Sequence, residues 1–159
     1  MEKLLFNLIE AERTIMATDH LIYVTFPLIK NKRLLLKAMV DLKNAIAKCI
    51  NSILQYEYIF RRIRLSKDPK TNLETFLKKS APNNGIGVSE TRQIIELFGL
   101  VKKHEESPME FVRKEKIVIL SANLHKDIIT LEDIKRFLIL SKTILKKTQE
   151  IIDPKLRKI

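Results

Sequence analysis

The sequence predicts an all-α fold, a single-domain bundle of about five or six helices built on a long antiparallel N-terminal helical hairpin. Three observations carry that prediction. From Leu35 to Ile63 the apolar residues Leu35, Met39, Leu42, Ile46, Cys49, Ile53, Tyr56, Phe60 and Ile63 recur in alternating steps of four and three, which keeps one helix face apolar throughout. The stretch before it repeats the same alternation, at Leu5, Leu8, Glu12, Ile15, Asp19, Ile22 and Phe26. Helix-start signatures then recur at Ser89, Ser107 and Thr130.

The first helix is expected from about Glu2 to Thr25. Two inward positions of its stripe are carboxylates, Glu12 and Asp19, and a buried carboxylate needs donors. Folded back on the second helix, they face the level of Asn44, Lys48 and Asn51, so a buried polar layer of these five residues is one expectation. The other is a stripe rotated by one residue, with Ile9, Met16 and Tyr23 in the core and the acids at its edge. Pro27 lacks an N–H and its ring opposes helix continuation, which predicts a bend between Phe26 and Lys32, with Asn31 capping the next helix.

That second helix, the rod, would be roughly 45 Å long at ~1.5 Å per residue, a length that calls for antiparallel neighbours. It ends in a cation-rich stretch, Arg61, Arg62 and Arg64, before Pro69. Thr71 or Asn72 can cap a short helix through Lys79, and 81–87 is the most turn-like and most mobile-looking segment. Ser89 opens a helix to about His104. Ser107-Pro108-Met109-Glu110 reads as a capping box with proline at the first helical position, opening a helix through Phe111, Val112, Val118, Ile119 and Ala122, with a strand at 117–120 as the alternative. Thr130 and Asp133 open the last helix, whose wide stripe can touch two neighbours. Residues 1–65 thus form the hairpin, 66–159 pack on it, and 154–159 are a basic tail.

A chain of 159 residues buries a sufficient core without staples. The lone Cys49 excludes an intramolecular disulfide and reads as a small core residue in a reducing compartment, so a cytoplasmic protein is expected. Glu2, Glu10 and Glu12 interrupt the amino-terminal apolar positions, unlike a signal peptide, and the run from Leu21 to Ile29 falls short of the ~20 residues of a membrane span. No membrane association is expected. The net charge of +11 attracts polyanions, although a lysine-rich composition alone produces such a surface.

No metal or cofactor is expected. The histidines His20, His104 and His125 lack paired ligands at metal-binding spacing, and Gly85 and Gly87 lack the strand and the Lys-Ser/Thr of a phosphate loop. The basic and aromatic cluster at the end of the rod is the stronger candidate. Tyr58, Arg61, Arg62, Arg64, Lys67 and Lys70 could hold RNA or DNA phosphates and stack a base. Lys142, Lys146, Lys147, Lys155, Arg157 and Lys158 make a second basic edge.

Arg13, six intervening residues and His20 resemble the Arg-x(4 to 6)-His element of HEPN domains, helical bundles of which many are metal-independent ribonucleases acting as dimers. The resemblance implies that Arg13 binds the scissile phosphate and His20 assists proton transfer at the ribose 2′-hydroxyl. The element departs from the family in having Thr14 after the arginine and in lying in the first helix. A helix-turn-helix DNA-binding reading of 72–80 and 89–103 is opposed by a connection of about eight residues and by Arg92 as the only early cation. The leading expectation is a non-enzymatic interaction protein with a basic, nucleic-acid-binding end. It is expected to self-associate as a homodimer, or to meet a helical protein partner, through an apolar stripe left free on the rod.

Overall fold

The computed structural model describes residues 2–107, 109–113 and 116–153. Of these, 74% are helical, in five runs, joined by one small three-stranded sheet. The first run, 2–29, comprises α1 (Glu2–His20), a π turn (Leu21–Thr25) and α2 (Phe26–Ile29). The rod is α3 (Arg33–Ile59). The third run joins α4 (Pro69–Thr75), a second π turn (Phe76–Ser80) and α5 (Ala81–Asn83), and is followed by α6 (Val88–Glu106) and, after the sheet, α7 (Leu131–Ile152).

Every apolar residue of the rod stripe from Leu35 to Ile53 is buried, and Ala38, Ala45, Ile50, Ser52 and Leu54 are buried beside them. The rod is therefore covered from several sides. Helix α1 packs along it with the chain reversed: Ser52 donates to the Leu4 carbonyl at 3.2 Å, and Lys48 lies 4.0 Å from Glu10. Helix α7 covers another side of the rod, with Ile144 and Ile151 in the same core as Cys49. From Leu35 to Ile53 no stripe is left free on the rod for a second copy, which corrects the expected self-association surface; the stripe also ends earlier than Ile63, because α3 stops at Ile59 and Phe60 is 52% exposed.

The inward face of α1 is Leu4, Ala11, Ile15, Thr18, Ile22 and Phe26. Neither expectation for this helix holds as a whole, although the acids do sit outside its buried stripe. Glu12, Asn44 and Asn51 are exposed, Asp19 is half-exposed and ion-paired to Lys142, and Lys48 is half-exposed, so the five residues form no buried polar layer. Small residues, Ala11 and Thr18, let α1 approach the rod closely; Ile9, Met16 and Tyr23 stay exposed.

Pro27 does not end its helix, because the backbone widens just before it. In the π turn the Phe26 N–H reaches back to the Leu21 carbonyl, which moves the preceding turn out of the way of the proline ring. Lys30, at φ 57°, ends the run. The same arrangement recurs at Pro82, where Ala81 N–H bonds the Phe76 carbonyl, so helix extends to Asn83 where a turn-like segment is expected. Asp68, not Thr71 or Asn72, caps this run, with Pro69 in its first turn. The Lys70 N–H and Thr71 hydroxyl bond its carboxylate, holding the carboxyl below its ordinary pKa, with the Thr71 bond the larger cause.

The helix expected after Ser107 is replaced by strands β1 (Met109–Arg113), β2 (Lys116–Leu120) and β3 (Lys126–Ile129), antiparallel in the order β1-β2-β3, and β2 matches the alternative strand expected at 117–120. The β-branched run Ile117-Val118-Ile119 favours the pleated backbone, and its period of two sends Ile117 and Ile119 into the core beside Ile129. His104 Nδ1, 2.8 Å from Glu110, and Lys103, 3.1 Å from Asp127, tie the sheet to α6. As expected, Thr130 and Asp133 cap α7 reciprocally. Lys155, Arg157 and Lys158 of the expected basic tail lie outside the described residues. Among the described residues no helix is long and apolar enough to cross a membrane.

Burial pushes the Cys49 thiol up to about 12, against a smaller downward effect of its bond with Thr148. The thiolate is the reactive form, so a disulfide reagent at pH 8 is expected to leave the folded protein unlabelled and to modify one thiol per chain in denaturant. Rapid labelling of the folded chain would show that Cys49 is not enclosed between α3 and α7.

Candidate nucleic-acid interface

The far end of the rod terminates in a geometry usually reserved for glycine. After Phe60 caps α3, Arg61 takes φ 57°; its N–H bonds the Tyr58 carbonyl at 3.0 Å and the Arg62 N–H bonds the Glu57 carbonyl at 2.9 Å. This pair of reversed bonds is the Schellman motif, whose left-handed position normally selects Gly. An arginine there is strained, and it turns the chain sharply enough that three arginines within four positions leave the helix together.

The loop that follows is fixed by side chains. Asn72 accepts from the Ser66 N–H at 2.8 Å and donates to the Ser66 carbonyl at 2.9 Å. Arg62 sits with its guanidinium 5.6 Å from the Phe60 ring centre and 5.9 Å from that of Tyr56, and the two rings are themselves 4.8 Å apart. Such stacking orients a guanidinium while leaving its N–H donors available.

Between this loop and the third helical run lies an open cleft of about 500 Å³, lined by Arg61, Arg62, Ile63, Arg64, Leu65, Ser66, Thr71, Thr75 and Lys79. Four cations and three hydroxyls line it, and no carboxylate does. None of the four is within ion-pair distance of a carboxylate among the described residues, in contrast to Lys37, Lys103, Arg136, Lys142 and Lys147 elsewhere. A second, smaller cleft shares Arg61, Ile63 and Arg64 with it and adds Tyr58 and Ile59.

The structure thus brings Tyr58, Arg61, Arg62 and Arg64 together. Lys67 and Lys70 are exposed on the adjoining loop and first turn but line neither cleft. Lys79, Ser66, Thr71 and Thr75 were missed from sequence. A signal existed: Thr71, Thr75 and Lys79 recur every four residues, one face of a helix. In the second basic edge Lys142 pairs with Asp19, and Lys147 pairs with Glu90 and donates to the Gly85 carbonyl, while Lys155, Arg157 and Lys158 lie outside the described residues.

In the last turn of α3, Glu57 is a buried carboxylate that the sequence did not mark. Asn84 Nδ2 donates to its Oε1 at 3.3 Å and to the Ser80 carbonyl at 2.8 Å, pinning the third helical run to the rod.

The alternative sites are differently placed. Arg13 is exposed and 3.6 Å from Glu10, and His20 is exposed two turns further along α1. The connection before α6 is only four residues, Asn84 to Gly87, so the length objection to a helix-turn-helix fails. The charge objection holds, because Glu90, paired with Lys147, and Glu96, paired with Arg136, flank Arg92 on α6. At the opposite end of the rod a cleft of about 530 Å³ is lined by Arg33, Leu36, Lys37, His104, Glu110, Phe111, Val112 and Ile117, but Glu110 holds His104 and Asp41 holds Lys37. No group of three or more His, Cys, Asp or Glu converges among the described residues. No protein-family model matches the sequence, and neither a curated protein nor a solved structure shows significant similarity to it.

Two stability outcomes follow from this geometry. Asn84→Ala removes the donor to a buried carboxylate and is expected to cost about 1–3 kcal/mol in urea unfolding. Arg61→Gly relieves the left-handed backbone and is expected to stabilise by about 1 kcal/mol; a loss of stability would show that the arginine side chain holds the turn.

Proposed function

We propose that this chain is a non-enzymatic binding protein that takes phosphate groups of RNA or DNA in the arginine cleft at the end of α3. The observation that carries the reading is a cleft lined by Arg61, Arg62, Arg64 and Lys79 without a carboxylate among its walls. Guanidinium groups bind phosphate oxygens through paired N–H donors, and Ser66, Thr71 and Thr75 add hydroxyls at the same wall. Tyr58, half-exposed beside Arg61 and Arg64, supplies a ring on which a base can stack. Recognition of this kind reads backbone charge and carries little sequence preference.

Four cations on phosphates predict a salt slope near −3 to −4, or about 10²-fold weaker binding between 50 and 200 mM salt. The test is titration of a short labelled RNA and the matching DNA across that range. Replacing Arg61, Arg62 and Arg64 together by Ala is expected to weaken binding at least tenfold and to flatten the slope by two to three. An unchanged slope would place the contacts elsewhere, and no binding at low salt would remove the reading.

A further inference from the structure

We propose that the outer face of the 2–29 helical run is the contact surface of a homodimer, in which two copies cross antiparallel at Met16. The face opposite the buried stripe reads Leu5, Ile9, Arg13, Met16, His20, Val24 and Leu28, with Phe6 alongside. Its apolar members Leu5, Phe6, Ile9, Met16, Val24 and Leu28 are 44 to 81% exposed, although they lie on a well-packed helix. At on the order of 150–200 Å² for a fully exposed large side chain, they present roughly 600 Å² of apolar surface, the upper end of the patches found on monomers. With the flanking side chains this approaches the ~800 Å² that each partner contributes to an interface of standard size.

What selects a second copy as the occupant is the symmetry of the face. Two-fold contacts require a surface complementary to itself when reversed. About Met16 this stripe reads the same in both directions in chemical kind, with two aliphatic residues, a cation-capable residue, methionine, another cation-capable residue and two aliphatic residues. Reversal sets Leu5 against Leu28 of the partner subunit, Ile9 against Val24 of the partner subunit, and Met16 on its own mate, with the small, exposed Ala17 permitting close approach; it also sets Arg13 beside His20 of the partner subunit, where the ion pair of Arg13 with Glu10 limits the repulsion. The π turn is what keeps the stripe aligned to its end. Steps of four at 16–20–24–28 average would drift around a regular helix, and the wider turn at Leu21–Thr25 absorbs the excess.

Charge favours the same occupant. Two copies of a +11 chain repel each other over most of their surface. The α1 helix is the exception, carrying Glu2, Glu10, Glu12 and Asp19 against Lys3 and Arg13, and Glu10 already neutralises Arg13 at 3.6 Å. Joining through α1 keeps the arginine clefts outside the contact, and a polyanion is disfavoured on this face.

The test is sedimentation of the full chain, free of nucleic acid, from about 1 to 200 μM. A concentration-dependent dimer is expected, and Met16→Glu, which sets two carboxylates face to face at the two-fold axis, is expected to raise its dissociation constant at least 10²-fold with an unchanged circular dichroism spectrum. In oxidising buffer Met16→Cys is expected to form a covalent dimer, because the enclosed Cys49 does not compete, whereas Lys102→Cys on exposed α6 is not. A monomer at every concentration, a dimer indifferent to Met16→Glu, or equal cross-linking at both positions would overturn the proposal. None of these readouts touches the arginine cleft, so loss of nucleic-acid binding and loss of the dimer are separate outcomes.

Discussion

The enclosure of α3 is the constraint on which the structure depends. A helix of this length with Leu35, Met39, Leu42, Ile46, Cys49 and Ile53 all buried leaves its neighbours no alternative but to run alongside it. Each buried side chain of this size contributes about 1.5–3 kcal/mol of transfer free energy, so the rod alone outweighs any single surface ion pair in the molecule. Helices α1, α6 and α7 take their positions from it, and the polar contacts at its margins, Ser52 to Leu4 and Glu57 to Asn84, set the register.

Proline shows how that register survives a residue that opposes it. Pro27 and Pro82 each follow a π turn, and in each the extra residue removes the clash that a regular helix would suffer. The consequence at 21–29 is a helix long enough to span the rod. At 76–83 it is a helix that carries Lys79 to the arginine cleft and delivers Asn84 to Glu57. Local backbone geometry therefore reaches the candidate site directly.

How much of this was legible in the sequence differs by element. The α3 stripe from Leu35 to Ile53, the capping box at Thr130 and the predominance of helix were legible, because strict periodicity and paired caps have few alternative meanings; the continuation of the stripe to Ile63 was a misreading, since α3 ends at Ile59. The sheet was not. Ser107, Pro108 and Glu110 satisfy a helix-start pattern, but β-branched residues at 117–119 gain more from a pleated surface covering the core than that cap offers. The face of α1 was misread because Ala11 and Thr18, small and weakly apolar, were passed over in favour of larger residues nearby; in close helix packing the small residue is the inward one. At the candidate site, the arginines were visible as a charge run, whereas Lys79 was marked only by its four-residue spacing from Thr75 and Thr71, and Glu57 carried no signal of burial beyond its place on the rod.

The two surfaces left over after the core is accounted for are opposite in kind. The end of α3 concentrates cations on a strained turn and a braced loop, where mutual repulsion among Arg61, Arg62 and Arg64 opposes folding and no carboxylate offsets it. The outer face of α1 concentrates apolar side chains among carboxylates, where exposure to water is the unfavourable term. A chain optimised only for stability would place a glycine at 61 and polar residues at 9, 16 and 28. Both departures lower the stability of the isolated monomer, and each proposed partner would offset one of them, an anion the repulsion among the guanidinium groups and an apolar face the exposure of α1. The two surfaces favour opposite charge, so the proposed partners would not compete for one surface.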